Sequence, residues 1–245
     1  MKPWLVGGLA TWLITAPVSA STFTFEGTAT GENGNTLYTE HHTIAGECQA
    51  GVFRPRDHQA EYRKPGSEAA FAEKHLTFPE SVLTPLVDFS QPDFNEHMSI
   101  TYPKPNRVAI DWRTPFGDRE QFSVDKANRL VVDSGFDHLI RREWRALNGG
   151  DSVNFRFLGP TRGEYYGFVA EPATNREVDA HLVVKLRPTS MLLRVLVDPI
   201  VLGYNSEGAL TDYLGLTNIR RNKDTNYTAH IRYSVSQYPA CALVQ

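Results

Sequence analysis

Phe23-Thr24-Phe25-Glu26-Gly27-Thr28-Ala29-Thr30 runs directly into Gly31-Glu32-Asn33-Gly34-Asn35, and residues 36–44 resume the same habit. Side chains of an extended chain alternate sides at every residue. Phe23, Phe25, Gly27 and Ala29 therefore share one face, and Thr24, Glu26, Thr28 and Thr30 the other. Asparagine and glycine accept the backbone angles of a tight reversal. The stretch predicts a β-hairpin, and its period of two sets the expectation for the rest of the chain.

Outward from that hairpin the alternation recurs in Val153, Phe155 and Phe157, in Val178, Ala180, Leu182, Val184 and Leu186, and in Tyr227, Ala229, Ile231, Tyr233 and Val235. Strands are also predicted at 97–102, 107–113, 120–125, 129–132 and 163–171, and less sharply at 59–63 and 73–78. Asn205-Ser206-Glu207-Gly208 predicts a second hairpin turn. Residues 82–92, which contain Pro85 and Pro92, read as a loop. Residues 191–197, apolar on both sides, fit a buried strand or a short helical turn.

One segment departs from this pattern. Phe136, Leu139, Ile140, Trp144 and Leu147 recur at helical spacing after Ser134, whose hydroxyl is placed to cap the Asp137 amide. Gly149-Gly150 follows as a stop. The expected fold is mainly β: a strongly curved antiparallel sheet or open barrel, with one inserted amphipathic helix at about 135–147.

The N-terminus sets an address. Lys2, an apolar run over 5–16 and the small residues Val18-Ser19-Ala20 have the three parts of a secretory signal. The run falls short of the ~20 apolar residues that span a bilayer. A signal peptide over 1–20, cleaved after Ala20, and a single β-rich domain over 21–245 are predicted, with no transmembrane anchor in the mature chain and a periplasmic or secreted location. Lys and Arg total 25 against 28 Asp and Glu, a formal net charge of −3. That balance gives no support for nucleic-acid binding, which wants a concentrated basic surface. The two cysteines, Cys48 and Cys241, form an even pair in an oxidising compartment. A disulfide and two free thiols both remain open, because sequence does not show whether the two Cα atoms approach.

No Gly-x-Ser-x-Gly elbow, His-Glu-x-x-His motif or phosphate-binding glycine loop is present, so no catalytic residue, metal or cofactor is assigned. Glu40-His41-His42, with His58 and His75 elsewhere, is the densest candidate for metal ligation. On a strand, however, His41 and His42 project to opposite faces, and the group reads as solvent-facing. Arg141, Arg142 and Arg145 form a basic cluster able to clamp a phosphate or carboxylate, or else a solvated helix face. Phe155, Phe157, Tyr166 and Phe168 would either line an apolar cavity or pack a sheet core.

In Val131-Val132-Asp133-Ser134-Gly135-Phe136-Asp137-His138-Leu139-Ile140-Arg141 and Tyr213-Leu214-Gly215-Leu216-Thr217-Asn218-Ile219 the chain resembles a group of uncharacterised secreted or periplasmic proteins of Gram-negative bacteria. That resemblance implies a location and no mechanism. More distantly, the strand meander with an inserted helix is similar to periplasmic lipoprotein carriers, whose open β-barrel shelters acyl chains.

Together these readings lean toward a non-enzymatic protein that binds a hydrophobic or amphipathic, lipid-like ligand. Its candidate contacts are Phe155, Phe157, Tyr166, Phe168, Trp144, Arg141 and Arg145. The alternatives are an envelope hydrolase using scattered Asp111, Asp133, Asp137 and His138, or a protein-interaction and assembly factor.

Overall fold

The computed structural model describes residues 19–196 and 198–245. The expected signal peptide lies outside the described residues, apart from Ser19 and Ala20, which open the first strand. Eight strands run in succession: β1 (Ser19–Thr30), β2 (Thr36–Gln49), β3 (Val52–Arg63), β4 (Ala70–Thr77), β5 (Leu86–Gln91), β6 (Glu96–Lys104), β7 (Arg107–Arg113) and β8 (Arg119–Asp125). After β9 (Leu130–Val131) come two helices, α1 (Gly135–Arg142) and α2 (Trp144–Asn148). The remainder is β10 (Val153–Gly159), β11 (Glu164–Pro172), β12 (Leu182–Pro188), α3 (Met191–Leu196), β13 (Ile200–Tyr204), β14 (Leu210–Arg220) and β15 (Asn226–Gln237).

All fifteen strands belong to one sheet, in the order β8 down to β1 and then β15 down to β9. The chain lays down one half outward from β1, crosses, and builds the other half back until β15 zips onto β1, Phe25 opposite Val235. Every pairing is antiparallel except the short β9–β10 one, so the sheet is mixed, and it does not close into a barrel. Among the described residues no helix is long and apolar enough to cross a membrane.

Several local expectations are corrected. The predicted helix over 135–147 is two short helices that part at Glu143, where φ and ψ turn to −96° and 18°. The turn lets α1 pack on β9 and α2 on β11, two surfaces that one straight rod would not reach together. A third helix, α3, resolves the ambiguity at 191–197, within the described residues, in favour of a helical turn. Ser134 does not cap with its hydroxyl; the Asp137 amide donates to the Ser134 backbone carbonyl at 3.0 Å. Residues 82–92 are not all loop, because Pro85 and Pro92 flank β5 and leave Val87, Phe89 and Gln91 to point inward.

Glycine matters most at Gly135. A Cβ there would collide with the Leu83 carbonyl, the group that also accepts the Val132 amide at 2.9 Å. This contact fixes the start of α1 against the loop before β5.

The core follows the period-two pattern. Tyr38, Ala60, Tyr62, Leu76, Val87, Ile100 and Val108 form one apolar cluster that also takes in Leu130, Leu158 and Ile219 from the other half of the chain. A second cluster joins Leu139, Ile140 and Trp144 to Phe155, Val184 and Tyr204. Strands far apart in the order also touch through polar groups. Arg220 of β14 pairs with Glu96 of β6, and Gln91 of β5 donates to the Asn218 carbonyl at 3.2 Å, although β4, β3, β2, β1 and β15 stand between β5 and β14.

Candidate functional site: a basic cleft and the polar array behind it

Four pieces of chain build a cleft of about 270 Å³, one of them Val82 of the loop before β5, and Glu143 lies among the arginines of its lining. Val52, Phe53, Arg54 and Pro55 of β3 form one wall, and His138, Arg141, Trp144 and Arg145 of the helices form the second. The third is the segment after β15, through Leu243 and Val244. That segment is pinned beside β3: the Phe53 amide donates to the Ala242 carbonyl at 2.9 Å, and the Ala242 amide to Gly51 at 3.1 Å. One residue earlier, Cys241 is joined to Cys48 of β2 in a disulfide with Cα atoms 5.9 Å apart. The tertiary fold thus settles in favour of the bond what the sequence left open.

The arginines of the cleft differ in how far they are committed. Arg141 is buried; it pairs with Asp137 at 2.9 Å, donates from Nε to the Gly208 carbonyl at 2.9 Å and lies over the Phe23 ring. Arg142 is exposed and pairs with Glu143 at 3.2 Å. Arg54 and Arg145 form no ion pair among the described residues, so two guanidinium groups at the cleft remain available to an anion. His138 feels the charges around it: burial first, then the Arg141 and Arg54 guanidinium groups, push that imidazole down to about 3.

Of the residues singled out by sequence, Trp144, Arg141 and Arg145 meet at this cleft. Phe155, Phe157 and Phe168 lie together on one face of β10 and β11, with ring centroids 5.8–6.4 Å apart. Tyr166 sits opposite Phe157 across the pair and donates to Glu164 at 3.1 Å. These four aromatics line the sheet near α2 and are not part of the cleft wall. The hydrolase candidates are dispersed. Asp111 is held on the outer face by Arg119 and Gln121, which lower its carboxyl to about 2. Asp133 takes Lys74 at 2.9 Å, Asp137 takes Arg141, and His138 meets the Phe78 ring edge-on at 5.2 Å.

Sequence reasoning missed the array behind the cleft. His41 does face outward, toward Glu26 at 3.3 Å, but Glu40 and His42 face inward with side chains 6% and 10% exposed. The clue was present, since the period that buries Tyr38 also carries Glu40 and His42 to the same side. Tyr233 Oη donates to Glu40 Oε2 at 2.8 Å, and His42 Nε2 meets the same oxygen at 2.9 Å. His42 Nδ1 meets His58 Nε2 at 2.9 Å, and Phe25 stacks on the His42 ring at 4.4 Å. The proton placement that fills every link puts hydrogens on His42 Nε2 and His58 Nε2, leaving His58 Nδ1 as a bare lone pair. Among the described residues that nitrogen has no hydrogen-bond partner. Burial, followed by the charges of His42, His138, Lys74 and Arg141, holds His58 well below the usual histidine range. Both nitrogens of His42 are committed within the array, and among the described residues no three His, Cys, Asp or Glu side chains converge to hold a metal ion.

These histidines give a pH prediction. Unfolded histidine takes up its proton near pH 6.5, whereas folded His138 does so only near 3. Between those values protonation favours the unfolded chain, so stability is full above pH 6.5 and falls as pH drops toward 3. Urea midpoints measured from pH 7 to pH 4 are expected to decrease, and His138→Gln to flatten the slope. A midpoint independent of pH over that span would contradict the buried neutral state.

The fold and cleft together define a class: an open mixed sheet, antiparallel but for β9, carrying an arginine-rich, apolar-walled cleft at the junction of β3, the helices and the C-terminal segment. No protein-family description, curated protein or solved structure matches the chain.

Proposed function

We propose that the protein is exported to the periplasm or beyond and binds an amphipathic anion without chemically transforming it. The observation that carries this reading is the cleft itself, which sets apolar walls beside the guanidinium groups of Arg54 and Arg145, neither of which has a carboxylate partner among the described residues. Guanidinium binds carboxylate or phosphate through paired N–H donors, and Phe53, Trp144, Leu243 and Val244 offer the apolar part of a ligand its burial. Small-molecule sites run from about 300 to 1,000 Å³. A cleft of about 270 Å³ therefore favours a single short chain or ring over a diacyl lipid.

Export is supported by the tripartite N-terminal sequence and by a disulfide, a bond that persists in oxidising compartments. We read the sheet as strongly curved. Contacts between β6 and β14, and the close approach of Gly163 to the Phe122 ring of β8, draw distant strands toward each other.

The test is titration of the purified protein with decanoate and with decanol, following Trp144 fluorescence and heat. Decanoate is expected to bind and decanol to bind at least tenfold more weakly. Arg145→Gln and Arg54→Gln are each expected to weaken decanoate about tenfold, the scale of a charged hydrogen bond. Equal affinity for acid and alcohol would defeat the anion reading.

A further inference from the structure

Among the described residues five large apolar side chains stand well out in solvent, and three of them gather in one place. Met191 and Leu192 open α3 at 82% and 74% exposed, and Leu216 of β14 is 53% exposed. Gly215, the residue before Leu216, packs on Ile200 at the start of β13, where the chain returns from α3. A surface helix ordinarily turns its polar side outward. Here that order is inverted. Arg194, the one charged residue of α3, turns back on the chain and donates to the Pro188 and Thr189 carbonyls at 3.0 and 3.3 Å. Single apolar side chains on a surface are ordinary, but a gathered set marks a place that something covers.

Size and shape choose the occupant. A stable protein interface takes about 800 Å² from each partner, contributed by roughly 20–30 residues. Two side chains on a helix of 6 residues, with one more beside them, fall far short of that. A bilayer surface demands no matching shape. Apolar side chains sink about 5–10 Å into the boundary between headgroups and acyl chains, while Lys and Arg stay among the headgroups. The connections on either side of α3 along the same rim of the sheet supply such cations. The neighbouring Lys185, Arg187 and Arg220 are each paired with a glutamate. Arg162 between β10 and β11, and Arg221 and Lys223 between β14 and β15, are exposed and form no ion pair among the described residues. Glu164, Asp198 and Asp224 stand at the same rim, so its net charge is small and the apolar side chains carry the contact. The cleft lies at the other ends of these strands. β14 begins just after Gly208, which accepts from Arg141 of the cleft wall, and runs away from it toward Leu216.

We propose that α3 and Leu216 attach the protein to a membrane surface: Met191, Leu192 and Leu216 enter the boundary layer of a leaflet, and Arg162, Arg221 and Lys223 meet its anionic headgroups. The cleft, at the far ends of the strands, stays open to water. This attachment does not depend on what the cleft holds.

The experiment mixes the full chain with vesicles of phosphatidylcholine and phosphatidylglycerol in equal parts and measures bound protein by sedimentation. The protein is expected to sediment with them, and several-fold less with phosphatidylcholine alone. Met191→Ser combined with Leu192→Ser is expected to weaken binding about tenfold or more, the scale set by burying apolar side chains. Both side chains are exposed, so the double variant keeps the wild-type unfolding temperature, which separates the loss from a folding defect. A second measurement needs no variant: hydrogen exchange over 191–194 slows on the vesicles, and exchange over 52–55 at the cleft does not. No sedimentation with either vesicle, or equal sedimentation of the double variant, would overturn the proposal. So would self-association in sedimentation velocity that the double variant abolishes, because a second copy of the chain would then cover the patch.

Discussion

Glu96→Ala is expected to lower the unfolding free energy by about 3–5 kcal/mol, the cost of leaving a buried charge without its partner. Glu96 Oε1 accepts from Arg220 Nη2 at 2.6 Å and from Trp112 Nε1 at 2.8 Å. Its other oxygen accepts from Arg220 Nε and from Gln91 Nε2, each at 2.8 Å. Gln91 completes the clamp by accepting the Arg220 backbone amide at 2.9 Å. One carboxylate thus ties β5, β6 and β7 to β14, with side-chain exposure of 4% for Glu96 and 12% for Arg220. Its removal strands a guanidinium, an indole N–H and an amide together. Urea unfolding followed by fluorescence measures the loss. A double change, Glu96→Met with Arg220→Met, is expected to recover much of it, because a packed apolar pair avoids the desolvation of two ions. A loss below about 1 kcal/mol would put the pair among ordinary surface bridges and undo the clamp.

Opening the disulfide is the second large effect. Cys48 and Cys241 are 193 residues apart, and closing so long a loop is worth about 5 kcal/mol in the chain-entropy model, with measured losses commonly 2–5. The Cys48→Ser, Cys241→Ser double variant is expected to fall in that range. Its damage should be local as well as global. The bond holds the segment whose Ala242 bridges Val52, whose Leu243 packs with Phe23, Phe25 and Phe53, and whose Val244 lines the cleft. Hydrogen exchange at the Phe53 and Ala242 amides is expected to speed up well beyond the change in global stability, and decanoate affinity to drop. Unchanged protection at both amides would mean that side-chain packing alone secures the segment.

Much of the fold was written in the chain. Alternation at Phe23, Phe25 and Ala29, at Val153 and Phe155, and at Ala229 and Ile231 required a β protein, because a period of two buries one face only in an extended strand. The stripe Leu139, Ile140, Trp144 and Leu147 marked the helical interruption, though not its break at Glu143. The helical stripe and the charges beside it drew notice to Trp144, Arg141 and Arg145, but not to the cleft they share with β3 and the C-terminal segment. The sequence did not say which distant strands would meet. Register along a strand is local, whereas the pairing of β15 with β1, the clamp from Glu96 to Arg220 and the bond from Cys48 to Cys241 each join residues more than a hundred positions apart. The array was hidden for the same reason. Glu40 and His42 are polar, and polar residues on a strand read as solvent-facing until Tyr233, His58 and Phe25 arrive from other strands to enclose and bond them. Local pattern fixes which way a side chain points; only the assembled sheet decides whether water or protein lies there.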